Sequence, residues 1–160
     1  MENMKGHFHL HKKYCPVGEV WVSGELNLSK PDAVDLIAIA ECFAKEGSRV
    51  RVLAPIHYKS RDYKEVFSSL MGTKYERKCP DLWVDGTFYE YESYVRPWHK
   101  RKLSNMLTNG LKQSDCVIID NREGTSVRQI KRAIRSRLNV NAKISEVWVY
   151  DGKGVICIYP

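Results

Sequence analysis

The stretch CPDLWVDGTFYEYES, residues 79–93, predicts a β-hairpin that sets the strand pattern of the fold. Its two alternating apolar runs are separated by Asp85-Gly86, a dipeptide typical of a two-residue hairpin turn. With that turn, Asp81 faces Glu90 across the strands, and Glu92 projects from the same sheet face because strand side chains alternate. The sequence therefore predicts a patch of acidic side chains at the open end of the hairpin.

This carboxylate patch, formed by Asp81, Glu90 and Glu92, requires a compensating group. Like charges directly opposed across two strands are destabilising, so the patch needs a basic neighbour, a proton or a bound cation. Mg²⁺ prefers oxygen ligands and usually takes one or two carboxylates together with waters and substrate phosphate. We therefore predict a site for Mg²⁺, or for Mn²⁺ or Zn²⁺, of the type that cleaves phosphodiesters. The alternative is a set of solvated carboxylates balanced by lysine and arginine.

The composition favours a folded, basic protein. Of the 160 residues, 43% are apolar, and 26 Lys+Arg against 19 Asp+Glu give a formal net charge of +7. A basic surface favours nucleic acid or another polyanion as partner. The sequence has no apolar run long enough to span a bilayer and no apolar segment of a secretory signal near its start. We therefore expect a cytoplasmic protein without a membrane partner.

The cysteines are expected to be reduced. There are five of them, widely spaced and without a CxxC pair, which argues against a disulfide framework and against a structural zinc site. Cys42, Cys116 and Cys157 lie in apolar runs, so we expect them in the core.

The order of the predicted elements indicates a mixed sheet. Residues 5–28 are expected to be extended, and a helix follows with Ser29 as its cap, Pro31 in its first turn and Gly47 at its end. The later elements are a strand at 49–55, a helix at 60–71, the hairpin, a helix at 100–113, a strand at 115–120, a helix at 125–138 and a terminal hairpin around Asp151-Gly152. This order predicts an α/β or α+β fold, in which a mixed central sheet is flanked by helices. Residues 1–28 would form an N-terminal segment packed on a domain at 29–160.

The helix at 125–138 carries a basic stripe. Helical periodicity places its cationic side chains within roughly a 100° sector, beside an apolar stripe. No acidic residue lies four positions away to pair with them, so the stripe is a candidate phosphate-binding surface rather than an ordinary solvated face. Its members are Arg128, Lys131, Arg132 and Arg135.

The segment VRPWHKRK, residues 95–102, places Trp98 among basic side chains. Aromatic and cationic groups together can stack on and hold single-stranded RNA, and we predict Trp98 and Lys102 as nucleic-acid contacts. Trp98 can equally anchor the start of the following helix in the core. Along that helix, Lys102, Asn109 and Gln113 are predicted to share one edge of the apolar stripe.

The histidines offer two further hypotheses. His7, His9 and His11 alternate on one predicted strand, a pattern that can bind zinc or copper, but no cysteine or carboxylate accompanies them at matching spacing. His57 and His99 are candidates for general acid–base catalysis, and His99 is the nearer to the hairpin in sequence.

The hairpin resembles a known nuclease motif. Pro80-Asp81, eight further residues and then Glu90-Tyr91-Glu92 are similar to the PD-(D/E)xK motif, in which an Asp and an acidic-x-Lys element lie on adjacent strands. Glu92 stands here at the Lys position, as it does in some members of that superfamily. The order of elements over roughly residues 30–160 also resembles the C-terminal tRNase domains of contact-dependent growth inhibition toxins and related polymorphic toxins.

The resemblance implies a restriction-endonuclease-like fold for 29–160 and metal-dependent cleavage of RNA, with tRNA as the substrate. It also implies that Lys112 and Gln113 lie near the active site and contact phosphate, and that the first helix donates an acidic residue, for which Asp35 is the nearest candidate. A toxin of this kind would have a cognate immunity protein as a partner. Two alternatives stay open: a non-catalytic nucleic-acid-binding protein with a nuclease-like fold, and a metal-independent, barnase-like RNase that relies on His99.

Overall fold

The computed structural model describes residues 7–160, so the first six residues of the predicted N-terminal segment 1–28 lie outside the described part. The chain divides into two compact units, the first ending at Phe88 and the second beginning at Tyr89. Across residues 7–160 there are eight strands and four α-helices, and the strands pair in both directions. The predicted mixed α+β class is therefore confirmed. Within this range, no helix has the length and apolar character that crossing a bilayer requires.

The first unit is built on a parallel strand pair joined by a helix. Strands β2 and β3 run parallel, and α1 connects them, because a parallel pair needs a long crossover. Strands β1 and β4 add antiparallel neighbours on either side. The elements are β1 (Phe8–Lys13), β2 (Glu19–Ser23), α1 (Pro31–Lys45), β3 (Arg49–Val52) and β4 (Leu82–Val84).

The start of α1 differs from the predicted cap. Pro31 occupies the first helical turn as expected, but the cap residue is Lys30, which makes no side-chain capping bond. The hydroxyl of Ser29 instead donates to Oδ1 of Asn27 at 2.6 Å, which removes it from the helix end. Gly47 follows the helix with φ of +97°, the left-handed conformation that ends helices, so the predicted end is confirmed.

The predicted helix at 60–71 is two shorter elements. The first is α2 (Arg61–Val66), capped by Ser60, whose Oγ accepts a hydrogen bond from the backbone N–H of Tyr63 at 3.1 Å. A 3₁₀ helix (Ser68–Leu70) follows, since the two serines favour a tight turn over continued α-helix. The apolar side chains of this segment are buried in the core of this unit, together with Phe8, Leu53, Tyr75 and Phe88: Tyr63, Val66, Phe67 and Leu70.

The hairpin turn at Asp85-Gly86 is confirmed. Both residues have positive φ, 47° and 98°, which is the conformation of a type I′ turn and the reason that Gly favours this position. The backbone N–H of Arg49 donates a hydrogen bond to Oδ1 of Asp85 at 2.9 Å and so holds this side chain in place. The strand that follows, β5 (Thr87–Glu92), leaves the first unit after Phe88.

The second unit contains three parallel strands and two helices on one face. Strands β5, β6 and β7 are parallel, and β8 pairs antiparallel with β7. The elements after β5 are α3 (Lys100–Gly110), β6 (Cys116–Asp120), α4 (Val127–Leu138), β7 (Glu146–Tyr150) and β8 (Val155–Tyr159). Buried side chains from the two helices and the strands form one core: Leu103, Met106, Leu107, Val117, Ile119, Ile130, Ile134, Ile144, Val147, Val149 and Ile158.

Two cysteine expectations are wrong. Cys116 is the exception, because it is buried in β6 as predicted, and burial raises the pKa of its thiol to about 12. Cys157 is exposed, because β8 is the last strand in the sheet order and, of its apolar side chains, only that of Ile158 is buried. Cys42 is partly exposed on α1.

Candidate nucleic-acid interface and the predicted carboxylates

The start of α4 is fixed by a capping box. The Oγ of Ser126 accepts a hydrogen bond from the backbone N–H of Gln129 at 3.3 Å, and the Gln129 side-chain oxygen accepts one from the backbone N–H of Ser126 at 3.3 Å. These reciprocal bonds satisfy two donors that the first helical turn would otherwise leave unpaired. The cap thereby fixes the residue at which α4 begins, and hence which of its residues face solvent.

The two faces of α4 separate apolar from cationic side chains. Ile130 and Ile134 are 1% and 2% exposed and pack in the core of the second unit. The opposite face, which we call the α4 basic face, consists of exposed Arg128, Lys131, Arg132 and Arg135. Together with Val127 these side chains line a shallow concavity of about 550 Å³. The predicted basic stripe is therefore a continuous, solvent-accessible surface.

The charges of the α4 basic face have no ion-pair partner within the described part of the chain. Among residues 7–160, none of its four cationic groups forms an ion pair with a carboxylate. Arg137 on the same helix is different, because it is partly buried and its Nη1 donates to Oγ1 of Thr108 at 3.3 Å. Thus Arg137 is hydrogen-bonded to α3, whereas the cations of the α4 basic face are exposed and can bind a polyanion.

Glu90 and Glu92 lie on the helix-covered face of the second unit. Their partners in the parallel register are Val117 and Ile119 of β6, both of which belong to the core beneath α3 and α4. Tyr91, between them, points to the other face and meets the ring of Tyr150 edge to face. The two carboxylates are therefore on one sheet face and partly buried.

The end of α3 brings Glu92 close to the predicted phosphate contacts. A Cβ placed on Gly110 would lie 3.2 Å from Cγ of Glu92, so this side chain lies directly against the last residue of the helix. Lys112 and Gln113 follow in the next turn, where Lys112 is exposed and its Nζ donates to Oδ1 of Asn109 at 3.3 Å. Glu92 therefore packs against the helix end that Lys112 and Gln113 directly follow in the chain, and a shared site of the three stays a prediction.

The predicted helical position of Gln113 is wrong. Helix α3 ends at Gly110, and the backbone N–H groups of Lys112 and Gln113 donate to carbonyls three residues back. Glycine is a poor helix former, and the chain tightens after it into a turn. Gln113 therefore reaches its position through that turn and is partly buried there.

The remaining acidic candidates belong to the first unit. Asp81 is partly buried immediately before β4, and its backbone carbonyl accepts a hydrogen bond from the N–H of Leu53 at 2.8 Å. Its pairing with Glu90 stays a prediction. Asp35, which the resemblance nominated on α1, is 9% exposed and shares the buried side of the helix with Leu36.

Trp98 and Lys102 are engaged in contacts within the second unit. The Trp98 ring packs against the core and meets Tyr94 edge to face, with the ring centroids 4.8 Å apart. The Lys102 ammonium group donates to the backbone carbonyl of Val95 and lies 5.9 Å from the Tyr94 ring centroid. The anchoring role of Trp98 is therefore observed, while RNA contacts by either residue stay a prediction.

The alternating histidines do not converge on one site. Nε2 of His11 lies 3.1 Å from Oε1 of Glu41 on α1, whereas His7 faces Asp62 and Glu65 on α2. The carboxylates near His7 are far from it in sequence, so spacing alone gave no signal for them. His99, the acid–base candidate, is exposed at the start of α3 and makes no side-chain capping bond there.

Comparison with protein-family models, with curated proteins and with solved structures found no match. The likeness to PD-(D/E)xK nucleases accordingly rests on the motif residues themselves.

Proposed function

We propose that this protein is a nuclease that acts on RNA and holds the phosphate backbone on the α4 basic face. The observation that carries the proposal is this face itself, because its four exposed cations line one concavity and form no ion pair among residues 7–160. A surface helix usually balances such charges with acidic neighbours. Uncompensated cations at this density attract a polyanion and release its counterions on binding.

Cleavage is proposed from the carboxylates. Glu90 and Glu92 would hold Mg²⁺ or a similar hard dication, with Asp81 as the third ligand that the sequence predicts. When bound, such an ion would supply a nucleophilic water at neutral pH and would stabilise charge on the phosphate. Lys112 and Gln113 would orient the scissile phosphate, since they follow the helix terminus against which Glu92 packs. These roles are the ones that a restriction-endonuclease-like fold would give to the carboxylates, Lys112 and Gln113.

The substrate class follows from the family resemblance. By resemblance to the toxin tRNases with this motif, the substrate would be tRNA and the protein would act in the cytoplasm. An immunity protein would be a second partner. The presence of Glu92 at the position of the motif lysine supports a second candidate, a binding protein that has lost cleavage. The third candidate function is that of a metal-independent RNase that relies on His99.

Incubation of the purified protein with tRNA separates these functions. Cleavage that requires Mg²⁺, stops with EDTA and is lost in Glu90→Gln and Asp81→Asn supports the proposed nuclease. Asp32→Asn is the matched control, because Asp32 is an exposed carboxylate outside the predicted site and its change should leave cleavage intact. Salt-sensitive binding without cleavage supports the binding protein. Cleavage that resists EDTA and is lost in His99→Ala supports the third function, and activity unaffected by every variant indicates a contaminating RNase.

A further inference from the structure

A second candidate site, formed by His7, Asp62 and Glu65, lies in the first unit. Nε2 of His7 is 3.4 Å from Oε2 of Glu65 and 3.9 Å from Oδ1 of Asp62. One ligand atom from each residue lies within 4.8 Å of the other two. The cluster therefore combines one imidazole with two carboxylates at the start of β1 and on α2.

The fold holds this cluster in place. Asp62 and Glu65 are three residues apart on α2, so they project from the same side of the helix. The Ser60 cap fixes the start of that helix, and Tyr63 and Val66 anchor it in the core. His7 is the residue immediately before strand β1, so the strand fixes its position.

The two oxygens of Glu65 have different partners. Oε1 accepts a hydrogen bond from Nε of Arg61 at 3.1 Å, and Oε2 is the atom that faces His7. Arg61 thereby orients the carboxylate while leaving one oxygen for a ligand. The side chains of His7 and Glu65 are both 35% exposed and that of Asp62 is 54% exposed, so an ion can enter from solvent.

The spacing of the ligand atoms suits a small dication. Tetrahedral zinc with bonds of about 2.0–2.1 Å places its ligand atoms about 3.3–3.4 Å apart. The His7–Glu65 distance of 3.4 Å matches this value, and the His7–Asp62 distance of 3.9 Å requires only a small rotation of an exposed carboxylate. Two neighbouring carboxylates repel each other, and a dication between them would offset this repulsion more fully than the single charge of Arg61 on the far oxygen of Glu65.

A cavity adjoins the cluster. It has a volume of about 390 Å³, and His7 and Asp62 line it together with His57 and Ser60. Residues that follow the carboxyl ends of parallel strands β2 and β3, among them Gly24, Glu25 and Leu53, form much of its wall. Ligands in open α/β sheets bind at this end of the strands. Three protein ligands beside an open cavity leave a coordination position for water or a small ligand, as in catalytic rather than structural zinc sites.

We propose that His7, Asp62 and Glu65 bind a transition-metal dication of the zinc class, with an open coordination position facing this cavity. Imidazole and carboxylate ligands suit Zn²⁺, Co²⁺, Mn²⁺ and Fe²⁺. The site shares no residue with the carboxylates proposed for RNA cleavage and does not depend on that function.

Calorimetric titration of Zn²⁺ into the full chain, without an affinity tag and with excess Mg²⁺ present, tests the site. The expected result is one equivalent bound by the wild type and its loss in His7→Ala and in Glu65→Gln. The matched controls His9→Ala, an exposed histidine of β1, and Glu90→Gln, a predicted Mg²⁺ ligand, should both retain that equivalent. Circular dichroism establishes that each variant is folded.

Co²⁺ absorption distinguishes this ligand set from the exposed thiols of Cys15 and Cys157. Nitrogen and oxygen ligands give visible d–d bands without the near-ultraviolet charge transfer of thiolate, and these bands should persist in a Cys15→Ser/Cys157→Ser variant. Zn²⁺ binding that survives in both His7→Ala and Glu65→Gln, or that disappears with the cysteines, would overturn the assignment. The absence of Zn²⁺ binding to the folded wild type would overturn the assignment as well. None of these results bears on RNA cleavage.

Discussion

Gly110 of α3 lies against Val117 of β6 so closely that no side chain fits between the helix and the strand. A Cβ placed on Gly110 would be 2.6 Å from Cγ1 of Val117 and 3.2 Å from Cγ of Glu92. Real Cβ atoms do not approach this closely, so the helix end and the strand meet here only because the residue is glycine. This contact also determines where Lys112 and Gln113 emerge.

Gly110→Ala is therefore expected to destabilise the protein by about 1–3 kcal/mol, the usual cost of overpacking a core. The gain in helix propensity, about 1 kcal/mol, opposes this and is smaller. Chemical denaturation measures the change in the free energy of unfolding. Gly86→Asn is a useful contrast, since that turn position has open space and a positive φ that Asn tolerates, and its effect should be smaller.

Glu41 of α1 is expected to give a pH-dependent contribution to stability. Partial burial raises the pKa of its carboxyl, but hydrogen bonds from Tyr14 and His11 outweigh that effect, and the charge of Lys12 adds to them. The pKa in the folded state is thus below its ordinary value of 4.5. Glu41 therefore stabilises the fold at pH values above 4.5, and this stabilisation is lost as the pH falls through the folded pKa.

The variant Glu41→Gln should accordingly be less stable than the wild type at pH 7, by about 1 kcal/mol. The difference should shrink as the pH is lowered below 4.5, because the wild-type carboxyl is then protonated as well. Thermal unfolding of both proteins between pH 3 and pH 7 measures the difference. A gap that stays constant over this range would show that the charge of Glu41 does not contribute.

Ser126→Ala should weaken the start of α4. Loss of the capping oxygen leaves the N–H of Gln129 without its partner and is expected to cost about 1 kcal/mol of stability. Ser126→Asp should restore most of this loss, since Asp is also a good cap. The free energies of unfolding of the two variants should therefore differ, and equal values would indicate that the cap is not the source of the effect.

Local chemistry was sufficient to predict several elements. Helix α4 and its buried Ile130 and Ile134 follow from helical periodicity, and the turn at Asp85-Gly86 follows from the need for positive φ. The exposure of the α4 basic face also follows, since it is opposite the apolar stripe. These features depend on residues within a few positions of one another.

Features that depend on distant residues were not predictable. The approach of His7 to Glu65 requires β1 and α2 to be placed by the core of the first unit, and no spacing in the sequence encodes it. Ser29 satisfies the rules for a helix cap, yet it is bonded to Asn27. Cys157 lies in an apolar run but on the last strand of the sheet order, where burial is incomplete.

The salt dependence of RNA binding tests the central claim most directly. The slope of log K against log salt concentration changes by about 0.7 for each phosphate neutralised on a single strand and by about 0.9 on a duplex. Replacing two cations of the α4 basic face, in Arg128→Gln/Lys131→Gln, should therefore make the slope for tRNA shallower by about 1.4–1.8 and weaken binding at low salt.

The control Lys13→Gln/Lys45→Gln removes the same net charge from exposed positions of the first unit. The measurement is a fluorescence-anisotropy titration of labelled tRNA, over a series of salt concentrations, with wild type and both double variants. We predict a shallower slope for the α4 variant alone. Equal slopes for the two double variants would contradict the assignment of the α4 basic face as the phosphate-binding surface.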